Sequence, residues 1–422
     1  MPIFDQGYQH WKGPLAGHAW RWLAIARHGV RVQIKGRIVR ILLLFAWLPA
    51  LALVVAMALW GLVEQQAEGV IRLVRNLLPA DMLLDPRAYR ATAWTVAYSF
   101  FFKTQMFFIM LLVVVAGPGL ISRDLRFNAL PLYFARPLTR LDYILGKLGV
   151  IGALVAAVAV GPALFAYIIG VGFSLDITVV RDTFPVLLGS LAFGLVITLS
   201  VGTLILALSS LSKRSLYVGI TWAGLWLISG SVGSAMTVIY RESVRRELYD
   251  TELSSWVAQN PPPAGVQMRG VQPALRFHPK SRKLRPIGVE PGQEQEANQW
   301  YAAWSKASQQ ARMKSLAGLG EALREDWRPL CSYVANLDRI GDQLLDTDSA
   351  WVTIGKAVEV PRAAFQGAFG PPGKPAVLNS RRLADQLVPQ FPWQWSAGVL
   401  AALLGFSTWT LRRRIRSLDQ LR

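Results

Sequence analysis

The chain has 422 residues and a mass of 46.7 kDa; 53% of its residues are hydrophobic, 17% are charged, the formal net charge is +19 and the mean hydropathy is +0.32. Soluble domains are less apolar and more charged than this, and the apolar residues gather into runs of about twenty, the length that crosses ~30 Å of hydrocarbon. One cysteine, Cys331, and four scattered histidines, His10, His18, His28 and His278, exclude an intrachain disulfide framework, a zinc module and a haem-attachment motif.

The first forty residues are too polar and too long a prelude for a cleavable signal peptide, so the first apolar run is expected to stay in the chain. Residues 20–37 suit a helix lying in the membrane plane. Trp22, Ile25, Ala26 and Val30 share one side, while Arg27, Arg31 and Lys35 recur at four-residue spacing opposite. A solvated basic lead-in is the alternative, and Trp20 and Trp22 favour the interface, where indoles sit. Six apolar runs follow, at about 41–63, 105–122, 145–170, 185–210, 216–240 and 395–411. They predict an all-α polytopic membrane protein: six transmembrane helices, the N-terminal interfacial helix, and a large outer insertion between the fifth and sixth. Barrel strands, with their short alternating pattern, do not fit these runs.

Lys and Arg are divided unevenly between the spans. Nineteen lie in the N-terminal tail, the loops after the second and fourth spans and the C-terminal tail, whereas the short opposite loops hold Arg72, Arg75, Arg87, Arg90 and Arg181. The positive-inside bias therefore puts both termini in the cytoplasm of a multi-pass protein of the cell (inner) membrane. The expected organisation is a cytoplasmic segment 1–40, spans one to five over 41–240 with a cytoplasmic loop 123–143, an extracytoplasmic insertion 241–393, a sixth span 394–411 and a cytoplasmic tail 412–422. The cytoplasmic face holds nineteen bases and four acids, Asp5, Asp124, Asp142 and Asp419, which suits anionic lipid headgroups. Nucleic acid is not needed to explain the charge.

The outer loop 64–96 has amphipathic helical character around Val70–Leu78, closed by Pro79 and Pro86. Lys103 is the clear charge in a span, placed at the outer edge of the second and read as snorkelling. The apparent absence of buried acids argues against a proton-coupled carrier. The most informative stretch is Gly117–Lys147, GPGLISRDLRFNALPLYFARPLTRLDYILGK. Gly117, Pro118 and Gly119 loosen the helix end, and Arg123, Asp124, Leu125 and Arg126 follow. Leu130, Leu132, Tyr133 and Phe134 face the cytosol unless something covers them, with Pro131 and Pro137 as breaks. Such a patch reads either as a protein-docking site or as a loop whose arginines hold headgroups.

Gly-Leu-Ile-Ser, Arg-Asp-Leu-Arg, an Ala-Leu pair, Leu-Tyr-Phe and Arg-Pro-Leu-Thr-Arg with Asp-Tyr and Gly-Lys resemble the coupling-loop signature of ABC-2 type transporter permeases. The basic N-terminal helix, the Ser212–Ser215 turn and the Arg-rich end are similar to that family too. The resemblance implies a permease, working as a dimer with itself or a homologue, whose short cytoplasmic helix fits a cleft on a separate ABC-type ATP-binding subunit. That role would fall to Arg123, Asp124, Arg126, Leu130 and Arg136. It also implies movement of a lipid, glycan, drug or peptide, usually outward. The long 241–393 insertion departs from the family's shorter outer connections.

The chain supplies no ATPase of its own: the nearest phosphate-loop string, Gly370, Pro371, Pro372, Gly373, Lys374, Pro375, puts prolines where backbone donors are needed. Small residues recur in the third span at Gly149, Ala153, Ala157 and Gly161, allowing close helix packing. The fifth span is small and polar, with Gly219, Thr221, Gly224, Ser229, Gly230, Ser231, Gly233 and Ser234, and suits a dimer interface, a pathway or packing within one chain. In the insertion, 260–292 reads as irregular and 298–345 as helical. His278, Cys331 and the acids Glu321, Glu325 and Asp326 form no catalytic constellation, so neither enzyme activity nor a cofactor is expected. The competing reading is a membrane-anchored scaffold or binding protein acting through the outer domain.

Overall fold

The computed structural model describes residues 20–419 apart from 76–77, 131–132, 134–137, 175, 279–282, 290–291 and 356–390. Helices make up most of it. Five are long and apolar enough to cross a membrane: Arg37–Glu64, Arg90–Arg126, Arg140–Phe173, Thr178–Leu211 and Ser215–Gln259. In chain order the helices are α1 (Arg21–Ile34), α2 (Arg37–Glu64), α3 (Glu68–Val74), α4 (Ala80–Leu84), α5 (Arg90–Ala116), α6 (Gly119–Arg126), α7 (Arg140–Val155), α8 (Gly161–Phe173), α9 (Thr178–Leu211), α10 (Ser215–Gln259), α11 (Glu294–Arg324), α12 (Tyr333–Leu344) and α13 (Trp393–Asp419).

The spans run antiparallel to one another, so that the starts of α2 and α7 and the ends of α5 and α9 share one end of the bundle. At that end Gln33 Nε2 donates to the Ala116 carbonyl at 3.1 Å, and at the other Gln65 Nε2 donates to the Phe173 carbonyl at 2.7 Å. The apolar windows of α5 and α9 are each 61% buried and that of α7 into α8 50%, against 22% for α2 and 11% for α10. Hence α5, α7 and α9 form the centre, and α2 and α10 the flanks. Tyr98, Ile109, Met110, Ile151, Ile197 and Ile205 lie at its core with no measurable exposure.

Proline explains both irregularities in the spans. Pro118 cannot donate, so the helix bends between α5 and α6 and the amides of Ile121 and Ser122 donate to Ser209 Oγ of α9, at 3.1 and 3.0 Å. Ser209 in turn donates to the Pro118 carbonyl at 2.7 Å. Pro162 sits at the start of α8 just after a π turn, Ala156–Val160, which joins α7 to α8 without breaking the span.

The second span begins at Arg90, about fifteen residues earlier than expected from hydropathy. Thr92, Thr95, Ser99, Lys103 and Gln105 lower the average there, yet Trp94, Tyr98, Phe101 and Phe102 continue the helical core face. Lys103 consequently lies ~20 Å into the helix, at thirteen residues of 1.5 Å each, and not at its edge.

The 241–393 stretch does not stand apart from the bundle. Its α12 packs against α5, α9 and α10, with Gly341 against the Phe193 ring and Tyr333 Oη 2.8 Å from Ser200 Oγ. The first part of the stretch continues α10 and packs it on α11, burying Leu253, Trp304, Ala307 and Ala311 together. Within the expected irregular segment are two short antiparallel pairs, β1 (Met268–Arg269) with β2 (Gln272–Pro273) and β3 (Leu275–His278) with β4 (Lys283–Pro286); they are the only described exceptions to the all-α expectation. The last helix, α13, packs along α9 and α12.

Candidate functional site

The described residues of the stretch singled out in the sequence form a compact cluster at the α6 end of the bundle. Asp124 Oδ2 receives Lys147 Nζ at 2.7 Å and Tyr143 Oη at 2.7 Å, which ties α6 to the first turns of α7. Lys147 also lies over the rings of Tyr133 and Tyr143, 5.9 and 5.4 Å from their centroids. Burial, with the Asp124 carboxylate adding to it, pushes the Tyr133 phenol above its ordinary range. A Thr139–Asp142 capping box starts α7: the Thr139 hydroxyl accepts from the Asp142 amide at 3.1 Å while Asp142 accepts from the Thr139 amide at 3.0 Å.

The five expected partner-binding residues separate here. Arg123 and Arg126 are exposed, and Arg126 lies over the ring of Phe127, itself 73% exposed. Asp124 faces inward on Lys147. Leu130, expected at the surface, is 4% exposed in the main core, because the chain itself covers it. Arg136 lies outside the described residues, as do Leu132 and Phe134. Phe127 was not singled out, although an aromatic directly after Arg126 on a short helix was its signal. Lys213 and Arg214 of the α9–α10 turn lie at the same end, both exposed.

The small-residue stripe divides as well. Gly149 packs on Ala26 and Trp22 of α1, whereas Ala153, Ala157 and Gly161 face away from the bundle. In α10, Gly233 meets the Ser332 backbone and Ser229 Oγ accepts from the Tyr333 amide at 3.4 Å, so part of that polar face holds α12.

Two ionic groups were not foreseen. At the end opposite α6, Arg90, 2% exposed, donates to both oxygens of Glu64 at 2.7 and 2.8 Å and to Thr178 Oγ1 and Asp182 Oδ2 at 3.1 and 3.2 Å. Trp60 and Ser174 complete the hydrogen bonds to Glu64. Sequence order had placed Arg90 in an outer loop. The second group corrects the expectation of no buried acids: Lys103 pairs with Asp342 of α12 at 3.1 Å, and Asp338 one turn earlier has a buried, unpartnered Oδ1. Burial, with the like charge of Asp342 adding and Lys103 opposing, pushes the Asp338 carboxyl up to about 7. No group of three or more metal-ligating side chains occurs among the described residues.

The outer surface of α2 settles the class. Ile38, Ile41, Leu44, Phe45, Leu48, Leu51 and Val55 recur at helical spacing, each at least half exposed. Such a stripe suits lipid rather than water. The chain is a multi-pass α-helical membrane protein. No family model, curated protein or solved structure matches it.

Proposed function

We propose that the chain is the permease subunit of an ABC-type exporter, driven by ATP that a separate subunit hydrolyses. The observation that carries this reading is α6: a two-turn helix at a span end, anchored inward through Asp124 and presenting Arg123, Arg126 and Phe127 outward. Its resemblance to the ABC-2 coupling loop gives that surface a partner. In this reading α13 is the sixth span, both termini are cytoplasmic in the inner membrane, and a second permease copy or homologue completes the transporter. The cations Arg37, Arg40, Lys213 and Arg214, all exposed, suit anionic headgroups at the same face.

The test is purification of the full chain from its host in mild detergent. Wild type is expected to retain an ABC-type ATPase, and Arg123→Glu/Arg126→Glu to lose it with an unchanged unfolding profile. An ATPase absent from wild type, or retained equally by the variant, overturns the reading. A second reading, a membrane-anchored binding protein, is favoured by α10. Its 45 residues span ~67 Å, more than twice the hydrocarbon thickness, and carry α11 beyond it. That reading expects the α6 variants to be silent.

A further inference from the structure

We propose that a cleft between α10, the end of α11 and Phe391 binds the headgroup of an aminophospholipid, a zwitterion with an ammonium and a phosphate on a short linker. The cleft has a volume of about 310 Å³, and Ser234, Val238, Arg241, Leu323, Asp326 and Phe391 are among its lining.

Its chemistry is set by two opposite charges. Asp326 is 1% exposed, and its Oδ1 accepts from the amide and the guanidinium of Arg328 at 3.0 and 3.1 Å. Oδ2 is buried with no hydrogen-bond partner. An unmet carboxylate oxygen is costly, and an ammonium arriving from the cleft is a strong charge-assisted donor for it. Arg241, on the same cleft, is exposed and has no side-chain partner among the described residues. Its planar guanidinium matches a phosphate.

Position selects a lipid over a soluble zwitterion. Gly233 and Arg241 come ~27 and ~39 Å along α10 from its start, which brackets the level where ~30 Å of hydrocarbon gives way to headgroups. Val238 lines the cleft while 64% exposed, Ile239 beside it is 69% exposed and Val232 46%. Acyl chains can therefore run down α10 while the headgroup enters the cleft. This site requires only that α10 crosses the membrane and does not rest on the transporter reading.

The test places the full chain in nanodiscs of equimolar phosphatidylethanolamine and phosphatidylglycerol and counts the lipids that native mass spectrometry finds retained. Phosphatidylethanolamine is expected to be enriched about tenfold, the ratio that ~1.4 kcal/mol of preference gives. Asp326→Asn is expected to remove the enrichment, and Arg241→Gln, a change at an exposed side chain, to lower the retention of both lipids. Equal retention of the two lipids by the wild type, enrichment that survives Asp326→Asn, or retention untouched by Arg241→Gln overturns the proposal. So does binding of soluble phosphoethanolamine without any preference among the lipids.

Discussion

Arg90 brings five N–H donors into a site that is 2% exposed, and the structure meets it with two carboxylates and a hydroxyl from two helices, α2 and α9. Removing one member of such a pair leaves the other charge buried alone, which costs ~3–5 kcal/mol. Arg90→Met is therefore expected to lower the thermal midpoint in detergent sharply, and Arg90→Met/Glu64→Gln to recover much of the loss. Equal losses in the single and double variants would mean that the cost does not come from a stranded Glu64 carboxylate. Asp338 makes the opposite case, a carboxyl raised by burial from 3.8 to about 7. Its folded form holds a proton that its unfolded form releases, so this contribution to stability is full below about 4 and is lost as pH rises through about 7. The groups facing it are Asp342 and Lys103. Hydrogen exchange across α12 should quicken from pH ~5 to ~8 beyond the intrinsic rate, and Asp338→Asn should flatten that change.

At the scale of elements, the bend at Pro118 depends on Ser209. That hydroxyl accepts from two amides and donates to the Pro118 carbonyl. Ser209→Ala strands the two amides in a buried site, at ~1–3 kcal/mol for each unmet group, while the Pro118 carbonyl keeps the Ser122 hydroxyl at 2.6 Å. Faster exchange at residues 119–126, with the rest of α5 unchanged, is the expected signature. The docking of α12 depends on a missing side chain: a Cβ at Gly189 would collide with the Leu344 carbonyl, which is backbone and cannot swing aside. Gly189→Ala should lift the end of α12 at ~1–3 kcal/mol of overpacking, visible as faster hydrogen exchange over residues 341–345. Gly172→Ala, with nothing near its Cβ position, is the control.

For the whole molecule, the uneven burial of the spans is the dominant fact. The flank helix α10 is 11% buried over its apolar window, although it is the least apolar of the five, so its outer surface meets lipid or another chain. Which end faces the cytoplasm is open to direct measurement. Cys331 is the lone thiol and is exposed, so a Cys331→Ser chain with single cysteines at Phe127 or Arg246 reports each end separately. In intact cells an impermeant maleimide is expected to label the second and spare the first. Labelling of Phe127→Cys alone would invert the orientation argued from the basic residues.

The sequence by itself determined the class. About twenty apolar residues in a row leave a helix across lipid as the way to satisfy the backbone, and that argument needs no tertiary information. It also located α1 and the bend at Pro118, because proline, glycine and periodic apolar residues act on their own neighbours. What only the tertiary structure decided is where each charge goes. Arg90 looked like a loop residue and Lys103 like an edge residue because hydropathy averages over a window, and the polar residues between them diluted the signal of one continuous helix. Asp124 looked like a surface partner until α7 brought Lys147 and Tyr143 to it, and Leu130 looked exposed until the core closed over it. The partners of Lys103 and Arg90 lie 239 and 26 residues away in the chain. Pairing at such separations is fixed by packing, which brings distant segments to one depth, and local sequence carries no record of it.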